Sequence, residues 1–169
     1  FEAAAAFDVR RMYFVGTVAG LVPHTRDPRI LTSVSDPDML PLMKRHGCRP
    51  SNYEGPGSFV TYLTPLARER GIELASLVAE IPAYVQGRNV RCIEAVVRKL
   101  AAVAGLAIPM DDLAAETAEF VRRLNLMVAE RADLAEMIEK MEAEYDQQIS
   151  QTAPDEVRDW LERQGIRLN

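Results

Sequence analysis

The sequence predicts an α/β fold, and three observations carry that prediction. Residues 74–85, LASLVAEIPAYV, form a nearly unbroken apolar run, the pattern of a parallel-sheet strand covered on both faces. Residues 12–21 and 29–35 repeat the strand pattern, and helix-like segments closed by glycine lie between the runs. From residue 111 the alphabet becomes strongly charged, with apolar residues at alternating three- and four-residue steps, the mark of a helical extension. The expected organisation is an α/β domain over residues 1–108 and a helical part over residues 109–169.

Composition narrows the function classes. At 169 residues and 48% apolar content the chain can build a sizeable core. A net charge of -5 argues against non-specific nucleic-acid binding, which needs a basic face. The longest apolar stretches are about a dozen residues, short of the roughly 20 a membrane span needs. Cys48 and Cys92 lack CxxC spacing, so neither a disulfide framework nor a zinc site is expected. No metal or other cofactor is expected, and a reducing cytoplasm is the compartment implied. The opening from Phe1 into EAAAAFDVR reads as the middle of a helix. About three strands are readable, where doubly wound sheets carry about five or more, so an N-terminal part of the sheet is expected to lie outside this sequence.

Taken in order, residues 2–9 are alanine-rich and predict a helix, followed by the strand of residues 12–21, MYFVGTVAGL. Gly16 and Gly20 permit a bulge or close backbone approach there. The exit, Val22-Pro23-His24-Thr25-Arg26, turns polar; His24 and Arg26 suit binding an anion or orienting a partner as readily as forming an exposed loop. Residues 29–35 predict a shorter strand, and Asp36-Pro37-Asp38 starts a helix over residues 39–46 closed by Gly47. His46 and Cys48 have no further ligand nearby and predict no metal site.

Residues 52–58, NYEGPGS, form the most distinctive loop, with Ser58 placed to cap a helix over residues 59–70 that Pro65 kinks. Free amides at such a helix start can cradle phosphate, which makes Tyr53, Gly55, Gly57 and Ser58 candidates, although the spacing matches neither a P-loop nor GxGxxG. Pro82 cannot donate a ladder hydrogen bond and should mark where the strand of residues 74–85 leaves the sheet. Glu80 and Tyr84 flank it at the carboxyl edge, where open α/β sheets bind ligands. Asn89 should cap the next helix, with Ile93, Val97, Leu100 and Ala104 as its core stripe, Glu94 and Arg98 as an exposed pair, and Gly105 as its end.

Asp111 and Asp112 suit the positive end of a helix dipole. Leu113, Thr117, Phe120, Leu124, Met127, Leu134, Ile138, Met141 and Tyr145 then recur at three- and four-residue steps, with Arg131 on the one polar rung. They predict one long helix over residues 111–147, roughly 50 Å at about 1.5 Å per residue. That exceeds what a small sheet domain covers, so Phe120, Leu124, Met127, Leu134, Ile138, Met141 and Tyr145 are candidate contacts, within the chain or between subunits. Thr152-Ala153-Pro154-Asp155 predicts a short last helix over residues 153–164, folded back on the long one through Trp160 to close a helical hairpin.

Together, HTR after a glycine-containing strand, YEGPGSF leading to ARERGI, AEIPAYVQGRN and a long acidic helix resemble the proteasome assembly chaperone family in its prokaryotic branch, second-subunit type. The resemblance spans residues 14–126. It implies a three-layer α/β/α sandwich like nucleoside phosphorylases, an added helical part, and homo- or hetero-oligomers. It also implies a role beside the eukaryotic relatives that help assemble proteasome rings. Some archaeal relatives dock on proteasomes through a C-terminal hydrophobic-Tyr-any tripeptide; the sequence here reads Arg167-Leu168-Asn169, so docking of that type is not expected.

The leading expectation is therefore a non-enzymatic, oligomeric assembly or interaction protein with a protein client, a homo-oligomer with a trimer among the sizes open to it. The alternative is a binding protein or enzyme for a small anionic or nucleotide-like ligand at the strand ends. In that reading Glu80 acts as acid or base and Arg26 clamps the anion, beside His24, Tyr53 and Tyr84.

Overall fold

Alternating side chains in the two longest strands set the architecture. The computed structural model describes residues 1–54 and 57–163, with side chains described as far as Ile149. Strand β1, Arg11–Gly20, pairs in parallel and without a bulge with strand β4, Glu73–Pro82, from Arg11 opposite Glu73 to Gly20 opposite Pro82. Along β4, Ala75, Leu77 and Ala79 enter one apolar cluster with Met43 of helix α2, Leu40–Arg45, and Cys92, Val96 and Val103 of helix α4, Val90–Ala104. Leu74 enters a second cluster with Ala4 of helix α1, Glu2–Ala6, and Val60 and Ala67 of helix α3, Phe59–Glu69. On β1, Tyr13 faces the first cluster and Met12 and Phe14 the second. A period of two thus sends neighbouring residues to opposite faces, and helices cover both, giving the α/β/α layering.

The sheet order is β1-β4-β2-β3, with β2 at Ile30–Thr32 and β3 at Arg49–Pro50. Strand β4 is parallel to β1 and antiparallel to β2, so the sheet is mixed. Its apolar run foretold burial on both faces, which holds for Leu74 and Leu77, but burial says nothing of the direction of each neighbour. Strand β2 is shorter than the expected residues 29–35. The Ser76 hydroxyl accepts from the Ser33 N–H at 2.8 Å, taking the place of a ladder bond, and pairing resumes as a bridge between Val34 and Ala75. Strand β3 is two residues long and offers no periodic signal.

Helix ends follow their sequence signals. Asn89 caps α4 through the Cys92 N–H, and Ser58 and Thr61 form a reciprocal capping box at α3. Pro65 lies inside α3, which continues to Glu69. The core face of α4 is the exception. Ile93 is 37% exposed and Ala104 is exposed, while Cys92, Val96 and Val103 are buried, so the helix turns one residue away from the expected stripe. The sheet below selects the small and β-branched residues. Glu94 is buried on that helix and pairs with the exposed Arg98, so the pair is half-buried instead of solvated.

The helical extension departs most from expectation. The single helix expected over residues 111–147 is two helices, α5 Asp111–Ala129 and α6 Ala132–Arg163, meeting at an elbow of Glu130 and Arg131. Helix α6 continues through residues 147–153, where a break was expected; residues 148–153 contain no glycine or proline to stop it. No hairpin of a long helix with a separate short one exists in the described residues. Trp160 and the expected capping box at residue 152 fall among residues whose side chains are not described, and Gly55 and residues 164–169 lie outside the described residues. Among the described residues no helix is long and apolar enough to cross a membrane.

Candidate functional site

The carboxyl ends of β1 and β4 meet at the residue pair Gly20 and Pro82, and the polar loop of residues 22–29 leaves from there. Gly20 makes room: a Cβ on it would stand 3.2 Å from Glu80 Oε1. Glu80 turns across that gap to pair with Arg29 at 2.6 Å, both side chains largely buried, and the Glu80 N–H donates to the Arg29 carbonyl at 2.9 Å. Side chain and backbone thus hold the loop against the strand end.

His24 is 2% exposed and fully bonded. Its backbone N–H donates to the Tyr84 hydroxyl at 2.7 Å, so the hydroxyl proton is free to go to Nδ1, also at 2.7 Å. Nε2 then carries the ring proton and donates to Asn125 Oδ1 of α5 at 3.0 Å. This donor count fits a neutral imidazole. Burial pushes the His24 pKa below its ordinary value, and nearby Arg91 pushes the same way against the Asn125 bond and Glu142. Burial also raises the Tyr84 phenol, keeping it a donor.

The next residues of the loop bind α6. The Thr25 hydroxyl donates to Glu142, and Arg26 makes a two-pronged pair with Asp146, at 2.9 Å from Nε and 2.8 Å from Nη2, and a third contact with Glu142 at 3.3 Å. The Tyr145 hydroxyl donates to the Asp27 carbonyl at 2.6 Å, and the Arg29 guanidinium lies 4.9 Å over the Tyr145 ring. Arg29 also donates to Gln148. Arg91 of α4 reaches Asp27 at 3.1 Å. Glu142, Tyr145 and Asp146 sit three and four residues apart, on one face of the helix, opposite consecutive residues of the loop.

Of the sequence candidates, His24, Arg26, Glu80 and Tyr84 therefore converge on one site. Tyr53, Gly57 and Ser58 do not join it: Tyr53 is 67% exposed, and the hydrogen bonds of Tyr53 and Ser58 go to Ser51 and Thr61. Leu124, Ile138, Met141 and Tyr145 are buried within this chain, Phe120 and Leu134 are half-buried, and Met127 is 54% exposed. Sequence reasoning missed Asn125, Arg91, Glu142 and Asp146. The readable signal was the alternation of charge in residues 24–29 against the acidic residues 142 and 146 on the face of Tyr145.

The free space among Val22, His24, Glu80, Asn89, Cys92 and Phe120 is about 10 Å³, on the order of what one water molecule needs. A general base must reach its substrate and an anion clamp needs an uncommitted cation. Here the imidazole is enclosed and Arg26 already holds two carboxylates. Chemically the arrangement is a socket for a helix. Among the described residues no group of three His, Cys, Asp or Glu side chains could hold a metal ion.

Solved structures share this fold. A protein of unknown function from Mycobacterium tuberculosis, Rv2714, superposes with a TM-score of 0.80 at 24% identity, over 92% of this chain and 52% of that one. A PAC2 family protein from Streptomyces avermitilis gives 0.67 at 29% identity, over 81% and 57%. The M. tuberculosis proteasome-assembly chaperone homologue Rv2125 gives 0.68 at 22% identity, over 81% and 57%. The chain spans about half the length of these structures. No curated protein matches it at a significant level. Residues 1–128, from the first helix to the end of α5, match the family model described as PAC2, and the chain belongs to the PAC2 family.

Proposed function

We propose that this protein is a non-enzymatic assembly or interaction protein, related in role to proteasome assembly chaperones and acting as a homo-oligomer on a protein client in the cytoplasm. In this reading residues 1–108 form the sandwich domain and residues 109–169 the helical part that presents contact surface. The observation that carries it is the filled socket: the polar side chains at the strand ends are consumed by α5 and α6 of the same chain, leaving about 10 Å³ of space. Apolar side chains meanwhile stand in solvent where a protein partner can cover them, including Val15 and Val18 of β1 and Leu126 and Met127 of α5, exposed by 43% to 54%. Family membership and the likeness to a proteasome-assembly chaperone homologue support the same reading.

Two measurements on one preparation test it. Light scattering across a range of concentrations should give a mass at least twice the 18.9 kDa of the chain, and the protein should co-migrate with proteasome α subunits of its host. A thermal-shift series with inorganic phosphate, nucleosides and nucleotides should leave the midpoint unmoved. A monomer that ignores the α subunits and is stabilised by a nucleotide would replace this reading with the ligand-binding one.

A further inference from the structure

The elbow between α5 and α6 carries one local contact, an exposed two-pronged pair of Arg131 with Asp133 at 3.2 Å from Nε and 2.6 Å from Nη2, and no residue that must break a helix. Its residues Ala129-Glu130-Arg131-Ala132 are strong or good helix formers with no glycine or proline among them. Glu130 holds φ -81 and ψ -6, on the helical side of backbone space. The apolar steps Leu124, Met127, Leu134 and Ile138 run across the elbow in phase with one continuous helix, Arg131 filling the polar rung. Helix α6 is held against the domain by its contacts with the loop of residues 24–29, from Glu142 to Gln148, and by the buried Ile138 and Met141. Beside the elbow, Leu126 and Met127 are each 54% exposed and Met137 is 38% exposed.

We propose that the elbow is a hinge and that two copies of this chain associate by straightening it, each placing its α6 in the socket of the other. Exchange leaves every socket contact unchanged in kind, because the same residues meet across chains instead of within one. The difference between the forms lies at the hinge. Straight α5–α6 rods replace the tight bond of the elbow, from the Arg131 N–H to the Val128 carbonyl three residues back, with continuous four-residue helical bonds. Two such rods crossing at the hinge also give Leu126, Met127 and Met137 a partner face, opposing the cost of association. The inference rests on the oligomeric part of the function proposed above and not on the client.

The test is a cross-link. Arg26 and Asp146 are replaced by cysteine in one chain, R26C with D146C, and treated with a short bismaleimide; the native Cys48 and Cys92 are buried. Size exclusion first separates dimer from monomer, and each fraction is run on a denaturing gel. The dimer fraction should give covalent dimer and the monomer fraction an internally linked monomer. A second variant, Ala132→Pro, places proline at the first residue of α6, where the bent form tolerates it and a straight helix does not. It should abolish the dimer and leave the thermal midpoint of the monomer within a few degrees. A dimer fraction that yields only internally linked chains overturns the exchange and leaves the oligomeric reading standing. A chain that is monomeric at every concentration overturns both. Should the proline variant fail to fold, the cross-link in the unsubstituted elbow decides alone.

Discussion

Removing Tyr145 probes the socket at its centre. The residue is 5% exposed, its hydroxyl donates to the Asp27 carbonyl at 2.6 Å, and its ring carries the Arg29 guanidinium at 4.9 Å. Tyr145→Phe keeps the ring and loses the hydrogen bond, which costs about 0.5–1.5 kcal/mol net. Tyr145→Ala also leaves a cavity, about 3–5 kcal/mol for a buried aromatic side chain, and forfeits the cation–π contact, about 0.5–2 kcal/mol. The expected losses are therefore about 1 and about 6 kcal/mol, a ratio that separates packing from hydrogen bonding. Urea denaturation followed by far-ultraviolet dichroism measures both. Brief trypsin treatment adds a local readout, since undocking α6 frees the backbone at Lys140 for cleavage. If Tyr145→Ala stays within about 1 kcal/mol of the parent and Lys140 remains as resistant as before, α6 is not held where this account puts it.

Four further outcomes follow from the same geometry. His24 is neutral in the fold and its pKa is held below the ordinary 6.5. Its contribution is full above pH 6.5 and falls away as pH drops, because the unfolded chain then takes a proton the folded one refuses. Midpoints measured from pH 7.5 to 5 should decline, and His24→Gln should flatten that slope; an unchanged slope contradicts the enclosed neutral ring. Gly47 has φ +72, and a Cβ there would stand 2.6 Å from Lys99 Nζ, so Gly47→Ala should cost about 1–2 kcal/mol in urea titrations. Burial raises the thiols of Cys48 and Cys92, the latter to about 11, so neither should react with Ellman's reagent at pH 8 until denaturant is added. Glu73 and Ala83 donate to the carbonyls of Arg10 and Gly20, a ladder phase that turns even-numbered β1 residues toward β4. Val18→Pro should therefore unfold the chain, whereas Thr17→Pro should leave dichroism native.

What the sequence reveals here depends on how local each cause is. Helix caps at Ser58 and Asn89 and the stop at Gly105 need only neighbouring residues, and they stand where the sequence puts them. Burial of the run at residues 74–79 is likewise local in origin, since few alternatives exist for so apolar a segment. The strand direction beside it is not, because it depends on which segment returns to that edge. The face of α4 fails for a subtler reason: Ile93 and Cys92 offer stripes of equal spacing, and the sheet decides between them. The elbow is the clearest case. Periodicity across residues 124–138 describes a continuous helix, and the polar contacts that hold α6 come from residues 25–29, more than a hundred residues upstream. His24, Arg26, Glu80 and Tyr84 were identifiable as a cluster because a strand exit gathers them. Their partner was not, because nothing near them in sequence announces that a helix of the same chain will occupy the site.

The loop of residues 24–29 holds α6 in the strand-end socket, and amide hydrogen exchange with and without Arg26→Ala reads out that hold. Arg26 contacts both Glu142 and Asp146, so its loss should speed exchange over residues 138–148 while residues 74–79 of β4 keep their protection. Equal protection of α6 in both proteins, or rapid exchange of α6 already in the parent, would mean that the loop does not hold the helix.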